Sequence, residues 1–329
     1  MSSGLSRTAP AIARGARVLT IAALLGVLTA CSAPRSEVPT ETPPGSTPNA
    51  SAALPPPPTS TFPGLACDAL VPGAEVASFL GAAAAPRPLT VDDAPVLQDG
   101  GTVCAWADEA AGTSLTVRLV GDGVDHWATF NHWYEHTDWS DSVGEINGTM
   151  CSDGACSVHA LDGERFIEVD AAGLDDPAGT RTEELARAVL AAAPVPAPAE
   201  SPSSSSAPTS RSSATALPVD TAVARLGAAA TGASYVSTAT PSYHLVQDSL
   251  QRIGGLDCRL LSADSRELVR FTVLPGGAWV LREDSPVGAV DAAGSEHSSN
   301  ARRGDDWVRL QAPGASEETT RALLAELLG

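Results

Sequence analysis

The chain has 329 residues, a net charge of −19, and 20 basic residues that are all arginine. So acidic a surface repels phosphate backbones, which argues against nucleic-acid binding. The length leaves room for two domains of ordinary size, each with a core of its own.

Residues 1–17 carry Arg7, Arg14 and Arg17 and no acid, and residues 18–30 are uncharged and mostly apolar. This is the pattern of a secretion signal, and the apolar run is shorter than the roughly 20 residues a membrane-spanning helix needs. Leu28-Thr29-Ala30-Cys31 follows, with small residues that leave an extended backbone for a peptidase. It resembles the bacterial lipoprotein signal, which implies cleavage before Cys31 and attachment of diacylglycerol to its thiol, with further acylation of the palmitate type. Multiple acyl chains, at about 0.8 kcal/mol per buried methylene, give stable anchoring where one chain is marginal. The expected location is the extracytoplasmic face of the cell membrane, with the bilayer itself as a partner through Cys31.

Residues 31–63 are rich in proline and poor in large apolar side chains, and read as a disordered stalk. A second Pro/Ser-rich segment at 194–216 divides the rest into domains at 64–193 and 217–329. The two look like copies. Pro72, Leu80 and Gly81 recur as Pro218, Leu226 and Gly227, with proline at the start and glycine past the end of a short helical pattern. Gly100-Gly101 before Cys104 returns as Gly254-Gly255 before Cys258, and Trp127 is echoed by Trp279. Alternating runs follow: Leu115, Val117 and Leu119 share one strand face, as do Val269, Phe271 and Val273. Each unit ends in a strand and a helix, the first helix opened by Thr180 with Glu183 at capping-box spacing. Short connections favour antiparallel pairing, so the expected class is α+β: two related domains, each an antiparallel sheet packed by helices.

Cys67-Asp-Ala-Leu-Val-Pro72 through Phe79-Leu80-Gly81, with the later Cys104-Ala-Trp106, resembles a family of actinobacterial lipoproteins known as domain of unknown function 3558. The resemblance covers the opening of the first domain and is fainter in the second, where Cys258-Arg-Leu260 lacks the tryptophan and nothing matches Cys67. It implies a disulfide between Cys67 and Cys104 and an envelope location, and no activity, since the family has none established. Cys151-Ser-Asp-Gly-Ala-Cys156 brackets an Asp-Gly turn. Its cysteines can bridge a hairpin if their Cβ atoms lie about 4 Å apart, whereas a metal site there would need two further ligands. These pairings leave Cys258 over.

The stretch Asp125–Trp139 holds three of the chain's six tryptophans and three of its six histidines. On a helix, His132 and His136 share a face at a spacing that metal ligands use, but the order His-Trp-Tyr-Glu-His is not the zinc-protease motif. Either the aromatics pack on the sheet, or His126, Trp127, His132, Trp133, His136 and Trp139 form a surface for a ligand or partner. Neither a nucleophile elbow nor a phosphate-cradling loop is present, and a Ser-x-x-Lys pair is impossible without lysine. The acids Asp170, Asp175 and Asp176 read as a solvated loop. No catalytic residue, metal or cofactor is expected. The favoured reading is a non-enzymatic binding or accessory module, taking an envelope protein or small ligand; the alternatives are a hydrolase with an unrecognised site and a structural envelope component.

Overall fold

A computed structural model of the chain describes residues 53–133, 139–196, 226, 234–237, 244–287 and 297–328. Two antiparallel sheets, each packed by helices, make up the fold. The first has the order β1-β2-β3-β6-β5-β4, built from Ala85–Pro86 (β1), Thr102–Asp108 (β2), Thr113–Val120 (β3), Ile146–Ser152 (β4), Ala155–Asp162 (β5) and Arg165–Ala172 (β6). The second has the order β7-β8-β9-β11-β10, from Ser234–Ser237 (β7), Leu256–Leu261 (β8), Glu267–Leu274 (β9), Ser298–Arg303 (β10) and Asp306–Gln311 (β11). Strand for strand the second order repeats the first, and β4 is the addition.

The repeat has a physical basis in the glycine pairs. Each follows a short helix, Ala94–Gln98 (α3) in the first half and Leu245–Arg252 (α6) in the second. Gly100 and Gly254 take φ of +81° and +74°, a region that favours glycine. The next glycine donates its N–H back into the helix, Gly101 to the Val96 carbonyl and Gly255 to the Leu250 carbonyl, at 2.8 Å in both. A Cβ at Gly101 would lie 2.7 Å from Val96, and one at Gly255 would lie 2.3 Å from Leu250. Both turns therefore exclude any side chain, for the same reason.

Alternation along the strands sorts residues between two faces. Leu115, Val117 and Leu119 of β3 join Ile167 and Val169 of β6 in a core covered by Cys67–Leu70 (α1), Gly73–Leu80 (α2) and Thr180–Ala192 (α5). Val269, Phe271 and Val273 of β9 do the same beneath Glu317–Leu328 (α7). Leu80 belongs to the first of these cores and Leu226 packs against the second, as their matched positions suggest. The opposite faces look toward each other across α3, α6, Gly123–Trp133 (α4) and a short 3-10 turn at Gly277–Leu281.

This face-to-face arrangement changes the picture of two separate domains. One buried cluster joins Val96, Trp127, Phe130 and Phe166 to Leu245 of the second half; another joins Ala94 to Leu250, Leu274 and Trp279. The Trp279 indole N–H also donates to Gln98 Oε1 at 2.5 Å. Since both clusters lose partners if the halves separate, a protease site engineered within 197–216 should yield two fragments that stay together on size exclusion and unfold in one transition. Separation into two stable monomers would show that the shared clusters hold nothing together.

Other local readings also change. Residues 53–63 are not all stalk: Phe62 is buried, and Thr61 donates from its backbone and its hydroxyl to the Gly100 carbonyl. The opening of α5 is not a capping box. Thr180 is its first residue, the Asp176 carboxylate accepts the Arg181 and Thr182 N–H groups, and Glu183 instead accepts a hydrogen bond from Thr149. Asp176 is therefore buried rather than solvated. Pro218, Gly227 and residues 1–52, with Cys31, lie outside the described residues.

Both disulfides are present. Cys67 joins α1 to Cys104 on β2, and Cys151 and Cys156 are direct partners across the β4–β5 hairpin, where Asp153 and Gly154 both take positive φ. Because loop-closure entropy grows with loop length, the 37-residue link contributes about 4 kcal/mol and the 5-residue link about 2 kcal/mol. Cys258, fully buried opposite Phe271, is not left over as a thiol.

Candidate functional site

The face of the first sheet that looks inward carries charge. β3 presents Thr116 and Arg118, β6 presents Glu168 and Asp170, and β5 presents Ser157 and His159, the residues between those of the core. Register places Glu168 directly between Arg118 and His159, and Asp170 beside Ser157. Arg118 donates to Glu168, to Asp170 and, at 3.0 Å, to Asp93 from the turn before α3. The second Glu168 oxygen accepts from His159 Nε2 at 2.9 Å and from the Leu245 N–H at 2.7 Å. That last bond seats the first residue of α6, from the other half, on a carboxylate of the first sheet, where the helix dipole favours negative charge.

Burial and opposed charges work against one another here. Burial disfavours the Arg118 cation, yet Glu168, Asp170 and Asp93 together hold its pKa above the ordinary guanidinium value. Glu168 is fully buried, but Arg118 and the hydrogen bond from His159 keep it well below the usual carboxylate range. Asp170 goes the other way: burial, then the neighbouring Glu168 carboxylate, push it up to about 6.

The second sheet mirrors this face. Asp257 and Arg259 of β8 and Arg270 and Thr272 of β9 alternate with core residues, and Arg270 grips the Asp257 carboxylate through two nitrogens at 2.9 and 2.8 Å. Arg259 makes a single, longer pair with Glu267 at 3.4 Å. Between the two faces lies a cleft of about 400 Å³. The first half lines it with Asp92, Arg118 and Asp170, the second with Arg259, Arg270 and Asp257, and Val91, Pro95, Val246 and Leu250 supply an apolar side. Its size is that of a small-molecule site, and its few converging polar groups match the usual make-up of one.

Glu168, Asp170 and His244 each offer an atom within 4.8 Å of the others, a geometry open to a metal ion. Arg118 bonds both carboxylates, however, so a cation entering there would have to displace a guanidinium already charge-matched to them. The cluster is better suited to holding a shape than a metal.

The aromatic stretch expected to form a binding surface does something else. His126 is 1% exposed, and its imidazole is clamped between Asp248 of α6, through Nδ1, and Asp99 at the end of α3, 3.2 Å from Nε2. Trp127 is also buried, against Trp139 at a centroid distance of 4.8 Å and against Phe130 and Phe166. Trp139 lies over Gly148, where any Cβ would meet its ring at 2.5 Å. As a surface for a partner, His126 and Trp127 are thus corrected to core, because the second half covers α4. His132 and Trp133 close α4 without described side chains, and His136 lies outside the described residues.

What the sequence reading missed is the pair of inward faces. Arg118, Glu168 and Asp170 at alternate positions of two apolar strands were the available signal, because charges facing away from one core must face water or another charged surface. No protein-family model, no curated protein and no solved structure matches the chain.

Proposed function

We propose that the protein is a lipid-anchored extracytoplasmic binding module of the cell envelope, non-enzymatic, whose ligand enters the cleft between the two sheets. The observation that carries this reading is the convergence of charged side chains from both halves on one cavity of about 400 Å³ with an apolar side. Two disulfides fit an oxidising compartment. Among the described residues no helix is long and apolar enough to cross a membrane.

Protein purified from its envelope and examined by native mass spectrometry should carry a small added mass, lost when Leu250→Trp fills the cleft. Absence of any added mass in the wild-type protein rules out a resident ligand there. For the anchor, the mature N-terminal peptide should begin at Cys31 and carry diacylglycerol. That thioether and a disulfide between Cys31 and Cys258 would use the same sulfur, so finding the two cysteines linked in the exported chain excludes the anchor.

A hydrolase reading has one observation in its favour, the Asp170 carboxyl with its raised pKa facing a cleft, as a general acid would need. Against it, Asp257, the carboxylate on the opposite wall, is held in a two-point bond by Arg270.

A further inference from the structure

The two walls of the cleft differ in charge. On the first half a single cation, Arg118, faces three carboxylates, Asp93, Glu168 and Asp170. On the second, Arg259 and Arg270 stand against Asp257 and, at 3.4 Å from Arg259, Glu267, so this wall is balanced. Asp92 is matched across the gap by Arg309 at 2.8 Å, so it does not alter this balance. Asp170, with its side chain 27% exposed, and Arg259, at 35%, face an incoming molecule from opposite walls, beside the more exposed Asp92 and His244 at the rim of the first and second halves. Trp307 lines the same cavity at 2% exposure, and its indole N–H has no acceptor among the described residues. A buried donor left without a partner is costly, so it marks a place where a ligand oxygen would be stabilised.

We propose that the cleft binds a zwitterionic amino compound with an apolar side chain, of the amino-acid or short-peptide class, its ammonium toward Asp170 and its carboxylate toward Arg259. This rests on the cleft being a binding site and adds the chemistry of its occupant. The ammonium finds the acid-rich wall and the carboxylate a guanidinium, whose fork suits planar anions. The apolar side chain lies against Val91, Pro95, Val246 and Leu250, which an entirely polar ligand would leave wet. A singly charged molecule would satisfy one wall and confront the other.

Titration calorimetry on the mature chain tests this with four probes: leucine, leucyl-leucine, N-acetyl-leucyl-leucine and leucyl-leucinamide. Leucine or leucyl-leucine should bind, and their ratio tells a free amino acid from a peptide. Capping either end should weaken binding at least tenfold. In Arg259→Gln the amide should bind as well as the free peptide while acetylation still weakens it; Asp170→Asn should reverse this pattern. Arg259→Lys, which keeps the charge, should retain part of the preference and serves if the glutamine variant is unstable. Equal binding of capped and free peptides would overturn the zwitterion assignment yet leave the cleft as a binding site. If no probe binds at millimolar concentration the assignment is likewise overturned, while the native mass measurement decides separately whether the cleft holds anything.

Discussion

Replacing Arg118 by Met should destabilise the protein by about 3–5 kcal/mol, because it leaves buried carboxylates without their cation while roughly keeping the side-chain volume. Asp93 and Glu168 are almost fully buried, and Asp170 sits beside them. The loss should depend on pH in a definite direction. Glu168 is held below its unfolded value, so its pairing contributes stability above about pH 4.5 that is lost as pH falls. Asp170 is held above its unfolded value, at about 6, so between pH 4 and 6 the native state already costs more as the pH rises. Without Arg118 both carboxylates shift upward, and the variant should therefore lie closer to wild type at pH 5 than at pH 8. Urea unfolding of both proteins at the two pH values measures this. An equal loss at both would mean that Arg118 contributes packing alone.

A second large effect is expected at His126. The imidazole from α4 holds Asp99 of α3 and Asp248 of α6, and Arg252 from α6 approaches Asp99 at 3.5 Å and the exposed Asp122 at 3.4 Å. Burial opposes its charge, but hydrogen bonds to Asp248 and Asp99 outweigh burial and raise its pKa above 6.5. A raised histidine contributes stability that is fully present below the unfolded pKa of about 6.5 and disappears as pH rises through the folded value. His126→Ala should cost about 3–5 kcal/mol at pH 6, the range for removing one partner of a buried ion pair, and less at alkaline pH. Because the triad joins the halves, the inward faces should lose hydrogen-exchange protection before the cores under α5 and α7 do. Uniform loss of protection across both sheets would show that the triad does not act at the interface.

Local chemistry made a good part of this fold legible. The alternation of Leu115, Val117 and Leu119 with Thr116 and Arg118 already assigns two faces to β3, since side chains in a strand point to opposite sides. The two Gly-Gly pairs mark turns where nothing larger fits, and Cys151-Ser-Asp-Gly-Ala-Cys156 encodes a hairpin and its cross-strand bridge within six residues. Such features depend on neighbours close in the chain, which is why they can be read from it.

The cleft and the burial of His126 depend on neighbours far away. His126 and Asp248 are 122 residues apart, and Leu245 meets Glu168 across 77. An aromatic-rich amphipathic helix carries the same pattern whether it faces a ligand, solvent or another half of its own chain, because periodicity specifies which face is apolar and not what covers it. Docking of α6 against α3 and α4 settled that for Trp127, and the same docking turned two charged strand faces into the walls of one cavity. Sequence by itself determined the alternating strands, their tight turns and the local bridge between Cys151 and Cys156; only the packing of one half on the other decided which polar residues meet, since that depends on where distant elements come to rest.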